Sequence, residues 1–293
     1  MKLLLVSVLA LAAFCRATAQ VSVALALDQD QFLPDEAVRV AVKITNLSGQ
    51  TLHLGADPSW LTFDVESEDN SVVADNGPVP VVEPFDLESS QMATKRVDLQ
   101  PYFQISRPGR YKVTATVHIK QWSQAITSPS QEFDIIYGAR LWTQNFGVTV
   151  ATNAPPEARK YTLIEANYLR RQLRLYLQVS SADGLHVFKV EALGPLVSFS
   201  SPESQVDGVS QLHVLWQTGA QVFTYLVIAP DGTVMSRDTY EEFNTRPRLA
   251  VTPGGDIVVQ GGVRRAKPSD VPAVKLPAAP ATPAAPATPP AKP

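Results

Sequence analysis

Four histidines, His53, His118, His186 and His213, are the whole stock of imidazole in 293 residues, and no two stand within the short spacings of common metal motifs. His53 lies between Leu52 and Leu54, and His118 between Val117 and Ile119, so strand alternation turns both outward. His186 and His213 hold matching places in two Leu-His-Val triplets and read as one strand type used twice, with a shared site as the alternative. No GxSxG turn offers a serine nucleophile, and neither HExxH nor a phosphate-cradling GxxxxGKS/T sequence occurs. Gly254-Gly255 and Gly261-Gly262 precede no helix, whose N-terminus a phosphate loop requires, and read as hairpin glycines.

Carboxylates are more plentiful, at Asp35-Glu36, Glu66-Ser67-Glu68-Asp69 and Glu241-Glu242. A glycosidase needs two of them at a fixed separation that one sequence does not specify. Asp28-Gln29-Asp30 and Glu66 to Asp69 could lend oxygens to calcium, but neither is a complete loop, and solvated turns are the simpler reading. The single cysteine, Cys15, lies in an N-terminal apolar run, so cleavage there would leave no thiol for a disulfide, a zinc site or a nucleophile. No catalytic residue, metal or cofactor is expected. Of the four tryptophans, Trp60, Trp142 and Trp216 have apolar neighbours at strand phase. Trp122, between Gln121 and Ser123, is the candidate for a ring that touches a ligand.

The elements that must position these residues are β throughout. Val38, Val40, Val42 and Ile44 alternate with Arg39, Ala41 and Lys43, and Tyr111, Val113, Ala115, Val117 and Ile119 alternate with polar residues. Such alternation marks strands with one buried face. Turn clusters fall at Leu33 to Glu36, Asn46 to Gly49, Glu68 to Ser71 and Arg107 to Arg110, the hairpin spacing of a sandwich. Farther on, Leu173, Leu175, Leu177 and Val179 alternate with Gln172, Arg174, Tyr176 and Gln178. Strands are also expected at Leu185 to Phe188, Leu212 to Trp216, Phe223 to Ile228 and Ile257 to Val259, between Asp-Gly turns at 183, 207 and 231 and a Pro-Gly-Gly-Asp turn at 253.

The expected organisation is a signal peptide at 1–19, a sandwich at 20–138, an antiparallel β-meander domain at 139–263 and a disordered Pro/Ala-rich tail at 264–293. Lys2, the apolar run Leu3 to Phe14, and Ala17-Thr18-Ala19 before Gln20 have the form of a secretory signal. An apolar run of about 12 residues is too short for a hydrocarbon core that needs roughly 20, so no transmembrane segment is expected in the mature chain. Prolines recur every third residue from Pro277 to Pro289, which favours polyproline II over a packed core. The net charge of −3 is uneven. Residues 1–19 carry 2 basic side chains and no acidic one, residues 20–138 carry 8 basic and 16 acidic, residues 139–262 carry 10 and 11, and residues 263–293 carry 5 and 1. An acidic front repels phosphate, which argues against nucleic acid as a partner.

Phe32-Leu33-Pro34-Asp35-Glu36-Ala37-Val38 leading into Val40 to Asn46, with Pro108-Gly109-Arg110-Tyr111-Lys112-Val113 much later, resembles the bacterial immunoglobulin-like or macroglobulin-type sandwich domains. The late motif is similar to their tyrosine corner. That resemblance implies structural roles for Pro108, Gly109 and Tyr111, with the Tyr111 hydroxyl returning to the backbone of the preceding turn. Val113 stands where an antibody domain has its second cysteine, so the inter-sheet bridge is absent. The later hairpins resemble β-propeller blades more weakly. About 125 residues supply two to three blades where a ring needs at least four, so either a smaller meander forms or several chains complete the ring, the first being the favoured expectation.

An exported domain pair without cysteine fits bacterial better than eukaryotic secretion, placing the protein in the periplasm, at the cell surface or outside the cell. The function expected is non-catalytic binding or scaffolding in the cell envelope, with an envelope protein or polymer as partner. The alternatives are a proteinase inhibitor using a sandwich-end loop such as Asp69 to Pro84, and a glycan-binding module. The tail, with Arg264, Arg265, Lys267, Lys275 and Lys292, is a spacer or a ligand for a partner that reads a proline ridge.

Overall fold

The computed structural model of the chain describes residues 20–149, 156–267 and 270. The expected signal peptide and nearly all of the expected tail lie outside the described residues. The fold is almost wholly β and mostly antiparallel. In the first half the strands are β1 (Val21–Leu27), β2 (Gln31–Phe32), β3 (Arg39–Asn46), β4 (Leu52–Leu54), β5 (Leu61–Ser67), β6 (Phe85–Leu87), β7 (Met92–Asp98), β8 (Gly109–Ile119), β9 (Gln124–Thr127) and β10 (Gln131–Ile135). They form a β1-β3-β7 sheet and a β2-β10-β8-β5 sheet with β9 paired to the end of β8, plus a small β4-β6 pair. Among the described residues only β2 and β10 run parallel.

Alternation decides what each strand buries. Along β8, Tyr111, Val113, Ala115, Val117 and Ile119 all point into the core, where they meet Val21, Val23 and Leu25 of β1 and Val40, Val42 and Ile44 of β3. Phe133 stacks on Tyr111 at 5.5 Å between centroids and meets Phe32 edge-on at 5.7 Å. Asn46, which opens an Asn-Leu-Ser turn, is fully buried: its amide donates to the carbonyls of Gln50 (2.7 Å) and Leu87 (2.8 Å), and its oxygen accepts from the Ser48 N–H. This side chain pins the turn to β6.

The second half holds a four-stranded meander of β11 (Ala139–Val148), β12 (Glu157–Tyr168), β13 (Gln172–Ser181) and β14 (Val187–Pro195). A second sheet follows from β15 (Glu203–Val206), β16 (Leu212–Gln217), β17 (Val222–Ile228) and β18 (Val234–Glu241). A hairpin of β19 (Arg248–Val251) and β20 (Ile257–Gln260) comes next, and β21 (Val263–Arg264) returns to the edge of β18. Tyr161, Leu163, Leu175, Leu177 and Val179 face Leu212, Val214, Trp216, Leu226 and Ile228 across the two sheets. The other face of the second sheet carries Leu215, Phe223 and Tyr225 beneath Leu249 and Val259 of the hairpin. Covered on both sides, β16 has all six residues buried.

Three expectations need correction. Leu185 and His186 are exposed turn residues rather than strand, because the Asp183 carboxylate accepts the Leu185 N–H (3.0 Å) and β14 starts only at Val187. In the Asp207-Gly208 turn the positive φ falls on Ser210 (65°) instead of the glycine. Ordered structure also passes residue 263: Arg264 and Lys267 pair with Asp238, and Arg265 pairs with Glu241.

No strand pairing among the described residues crosses Gly138. The two halves meet through Leu33, which packs with Ala166, Tyr176 and Val190. A Cβ on Gly138 would lie 2.3 Å from Ile164 Cγ2, so close approach of the chains demands glycine there. Two hydrogen bonds reinforce the joint, from Asp30 N to the Tyr168 hydroxyl (3.3 Å) and from Leu169 N to Gln31 Oε1 (2.5 Å).

Candidate functional site

Three adjoining depressions lined by polar, accessible groups lie at one end of the first sandwich, around the turn that leads from β4 into β5. Gly55 makes the turn possible. Its φ is +83°, and a Cβ would fall 2.0 Å from the Glu83 carbonyl oxygen. Asp57 shapes the next residues by accepting from the N–H (2.8 Å) and hydroxyl (2.9 Å) of Ser59, an arrangement that short acidic side chains favour in turns. Trp60 then enters the core, where its indole donates to the Val81 carbonyl and its ring meets Phe85 edge-on at 5.6 Å.

Strand β8 supplies the other wall. It carries His118, whose Nε2 is 3.3 Å from Thr62 Oγ1, and ends in a 3-10 turn, Lys120–Trp122, closed by Ser123 in the left-handed region (φ 51°). Lys120 reaches across to pair with Asp57. Gln121 accepts from the His53 N–H (3.2 Å), and His53 Nδ1 lies 2.6 Å from Asp86 Oδ1. Three depressions of about 360 Å³ each adjoin here. Ser59 lines two of them, Asp57 and Pro58 line two, and His118 and Lys120 line two.

The electrostatics are those of a settled site. Hydrogen bonds from Lys120 first and Ser59 second hold the Asp57 carboxyl far below the usual carboxylate range. A carboxylate held that low is poorly suited to accept and return a proton near neutral pH. The arrangement can hold a ligand by hydrogen bonds from hydroxyl, imidazole and ammonium groups on an open surface.

The structure disperses the other sequence candidates. Tyr111 donates from its hydroxyl to the Arg107 carbonyl (2.8 Å), across Pro108 and Gly109, and Val113 is fully buried in the core. Trp122 is half-buried against that core and lines none of these depressions. His53 and His118 are exposed, yet both line one depression, which their separate strands did not announce. His186 is exposed in a turn and His213 is buried in β16, so the matching triplets do not share a site. Glu36 is buried and accepts from Leu33 N–H and Gln29 Nε2 (2.7 Å each); desolvation raises its pKa. Among the described residues no group of three or more His, Cys, Asp or Glu side chains is placed to hold a metal ion.

One network escaped sequence reasoning. Asp207 accepts from Val209 N (3.0 Å) and Gln211 N (2.7 Å), and its other oxygen is 3.3 Å from His213 Nε2. His213 Nδ1 lies 2.6 Å from the Tyr225 hydroxyl, whose pKa burial pushes up to about 12. The order Asp-His-Tyr resembles a proton relay, but His213 is only 7% exposed and Tyr225 8%. Its evident work is to fasten the turn after β15 to β16 and β17. The Asp207-His213 spacing was visible in the sequence; the Tyr225 partner depends on strand register.

No family model matches the chain, and no curated protein matches it. Among solved structures it is similar to Spo0M, the sporulation control protein of Bacillus subtilis, with a TM-score of 0.31 and 9% identity. The match covers 76% of this chain and 91% of that one. Similarity at that level carries no argument about function.

Proposed function

We propose that this protein is an exported, non-catalytic binding or scaffolding component of the bacterial cell envelope that meets its partner with the Asp57–Lys120 end of its first sandwich. The observation that carries the reading is the pairing of Asp57 with Lys120 and of His53 with Asp86 on shallow, hydrogen-bonding ground. Catalytic sites hold groups at tuned, unsatisfied pKa values. A recognition surface needs none. The reading includes an immunoglobulin-like or macroglobulin-type domain at 20–138, for which the Tyr111 contact to Arg107 is the supporting geometry. It further includes a β-meander domain at 139–263, a signal at 1–19 and a tail that acts as a tether.

Co-sedimentation with isolated bacterial envelope tests it. The intact protein is expected to be retained, and Lys120→Glu combined with Ser59→Trp is expected to abolish retention without lowering the melting temperature. Retention untouched by those substitutions, or a hydrolytic activity abolished by one substitution, overturns the reading.

A second reading, proteinase inhibition by the Asp69 to Pro84 loop, has one observation in its favour. Val72 is 94% exposed, while the loop around it is fastened by Gln104 N–H to the Ala74 carbonyl (2.9 Å), by Asn76 N–H to the Tyr102 carbonyl (2.8 Å) and by buried Val79. An exposed aliphatic side chain on a preorganised loop suits a protease pocket. Titration against secreted proteases with no loss of activity counts against it.

A further inference from the structure

Among the described residues, strand β5 lies at the edge of its sheet, paired only to β8. The bonds that flank it fix which of its backbone groups are free. His118 N–H donates to the Trp60 carbonyl (2.7 Å), and Glu68 N–H donates to the Arg110 carbonyl (2.9 Å), so the even-numbered residues turn their peptide groups toward β8. By the alternation of an antiparallel ladder, Leu61, Phe63, Val65 and Ser67 turn theirs outward. Beside Leu61 and Phe63 runs one of the three depressions, an apolar groove closed on its far side by Pro78, Val79 and Phe103. Unpaired edges with a neighbouring apolar slot are where extended segments add as a further strand.

Charge selects the occupant. Between Lys43 and Lys95 the chain carries nine carboxylates and no lysine or arginine. Lys120 answers Asp57, and Lys95 answers Glu83, both from outside that stretch. Asp64 and Glu66 stand exposed on β5 and Asp75 lines the groove, and none of the three has an ion-pair partner within 4 Å among the described residues. The chain's own residues 271–293 include Lys275 and Lys292 but place a proline at every third position from 277 to 289, and proline lacks the N–H that a ladder uses. We propose that the open edge of β5 binds an extended, basic segment of another protein, in which Lys or Arg alternates with aliphatic residues, by strand addition with an aliphatic side chain in the groove. This names the partner class of the site and rests on the binding reading above.

The test uses the intact protein and the labelled heptapeptide Lys-Val-Lys-Val-Lys-Val-Lys, followed by fluorescence anisotropy. Binding is expected to weaken as salt rises, to fall about tenfold or more when glutamate replaces the lysines, and to fall about fivefold in Asp64→Lys. N-methylation of the valines in one peptide and of the lysines in another is decisive, because only alternate amides face an edge. One series must abolish binding and the other must spare it. Equal effects of the two series, equal binding of the glutamate peptide, or no binding overturns the proposal, whereas binding that appears only after deletion of 271–293 assigns the edge to the chain's own tail and equally overturns it. If the peptides fail while Lys120→Glu with Ser59→Trp still abolishes envelope retention, strand addition falls and the binding reading stands.

Discussion

Two buried tyrosines should respond to the same substitution with opposite signs. Tyr176 is fully buried at the joint between the halves, and among the described residues its hydroxyl makes no hydrogen bond of ordinary geometry, with the Arg174 side chain opposing the effect of burial on it. Burial, with a smaller contribution from the Glu36 carboxylate, pushes its pKa up to about 12, so the hydroxyl is neutral and gains nothing by ionising. A buried hydroxyl without a partner costs about 1–3 kcal/mol. Tyr176→Phe removes that cost and keeps the ring, so a gain of about 1–2 kcal/mol is expected. Tyr111→Phe instead deletes a made bond to the Arg107 carbonyl and should lose about 0.5–1.5 kcal/mol. Urea unfolding followed by circular dichroism checks both. With a slope of about 2 kcal/mol per molar, the midpoints should move apart by roughly 1 M, with the slope unchanged. A Tyr176→Phe variant less stable than the parent would refute the reasoning, since it would mean that the hydroxyl is satisfied in the folded protein.

Other outcomes follow from particular contacts. Desolvation raises the Glu36 pKa, so the folded state binds a proton more tightly than the unfolded one, and this residue's contribution to stability is lost as pH rises through the folded value. The stability of Glu36→Gln relative to the parent should therefore increase between pH 4.5 and 7.5, and a flat difference in urea melts would exclude the linkage. His213→Ala leaves Tyr225 and Asp207 without their shared partner and opens space in a buried strand, so a loss of about 2–4 kcal/mol is expected in the same melts. A loss below about 1 kcal/mol would mean that the network is ornamental. Leu169 and Arg170 both have positive φ (50° and 55°) at the β12–β13 turn, a conformation suited to Asn-Gly. Leu169→Asn with Arg170→Gly should raise stability by about 1–2 kcal/mol, and no gain would show that the turn is unstrained.

Much of the fold was legible because alternation survives wherever one face is buried. Tyr111 to Ile119 and Leu173 to Val179 reported their strands, and the missing cysteine at Val113 announced a core held by packing alone. Reading weakened where burial was two-sided or absent. Tyr176 alternates with the leucines of β13 and so falls on the face opposite the core, yet Leu33 of the first half covers it. Edge strand β11 is mostly exposed, so its sequence ARLWTQNFGV carries little periodicity. Leu185-His186-Val187-Phe188 looked like a strand because the Asp183 side chain, which captures the Leu185 amide, leaves no mark on hydropathy. The site was the least legible part. Lys120 and Asp57 are 63 positions apart, and only the pairing of β5 with β8 brings them together. Trp122 drew notice for its polar neighbours, whereas its ring packs down beside the turn that positions Lys120.

The central claim is that recognition resides at the Asp57–Lys120 end of the first sandwich. Hydrogen–deuterium exchange of the intact protein, with and without isolated bacterial envelope, tests it most directly. Slowed exchange at residues 53–63 and 118–125, with residues 207–213 unchanged, is the predicted result. Protection confined to the second half, or no protection while the protein is retained, would contradict it.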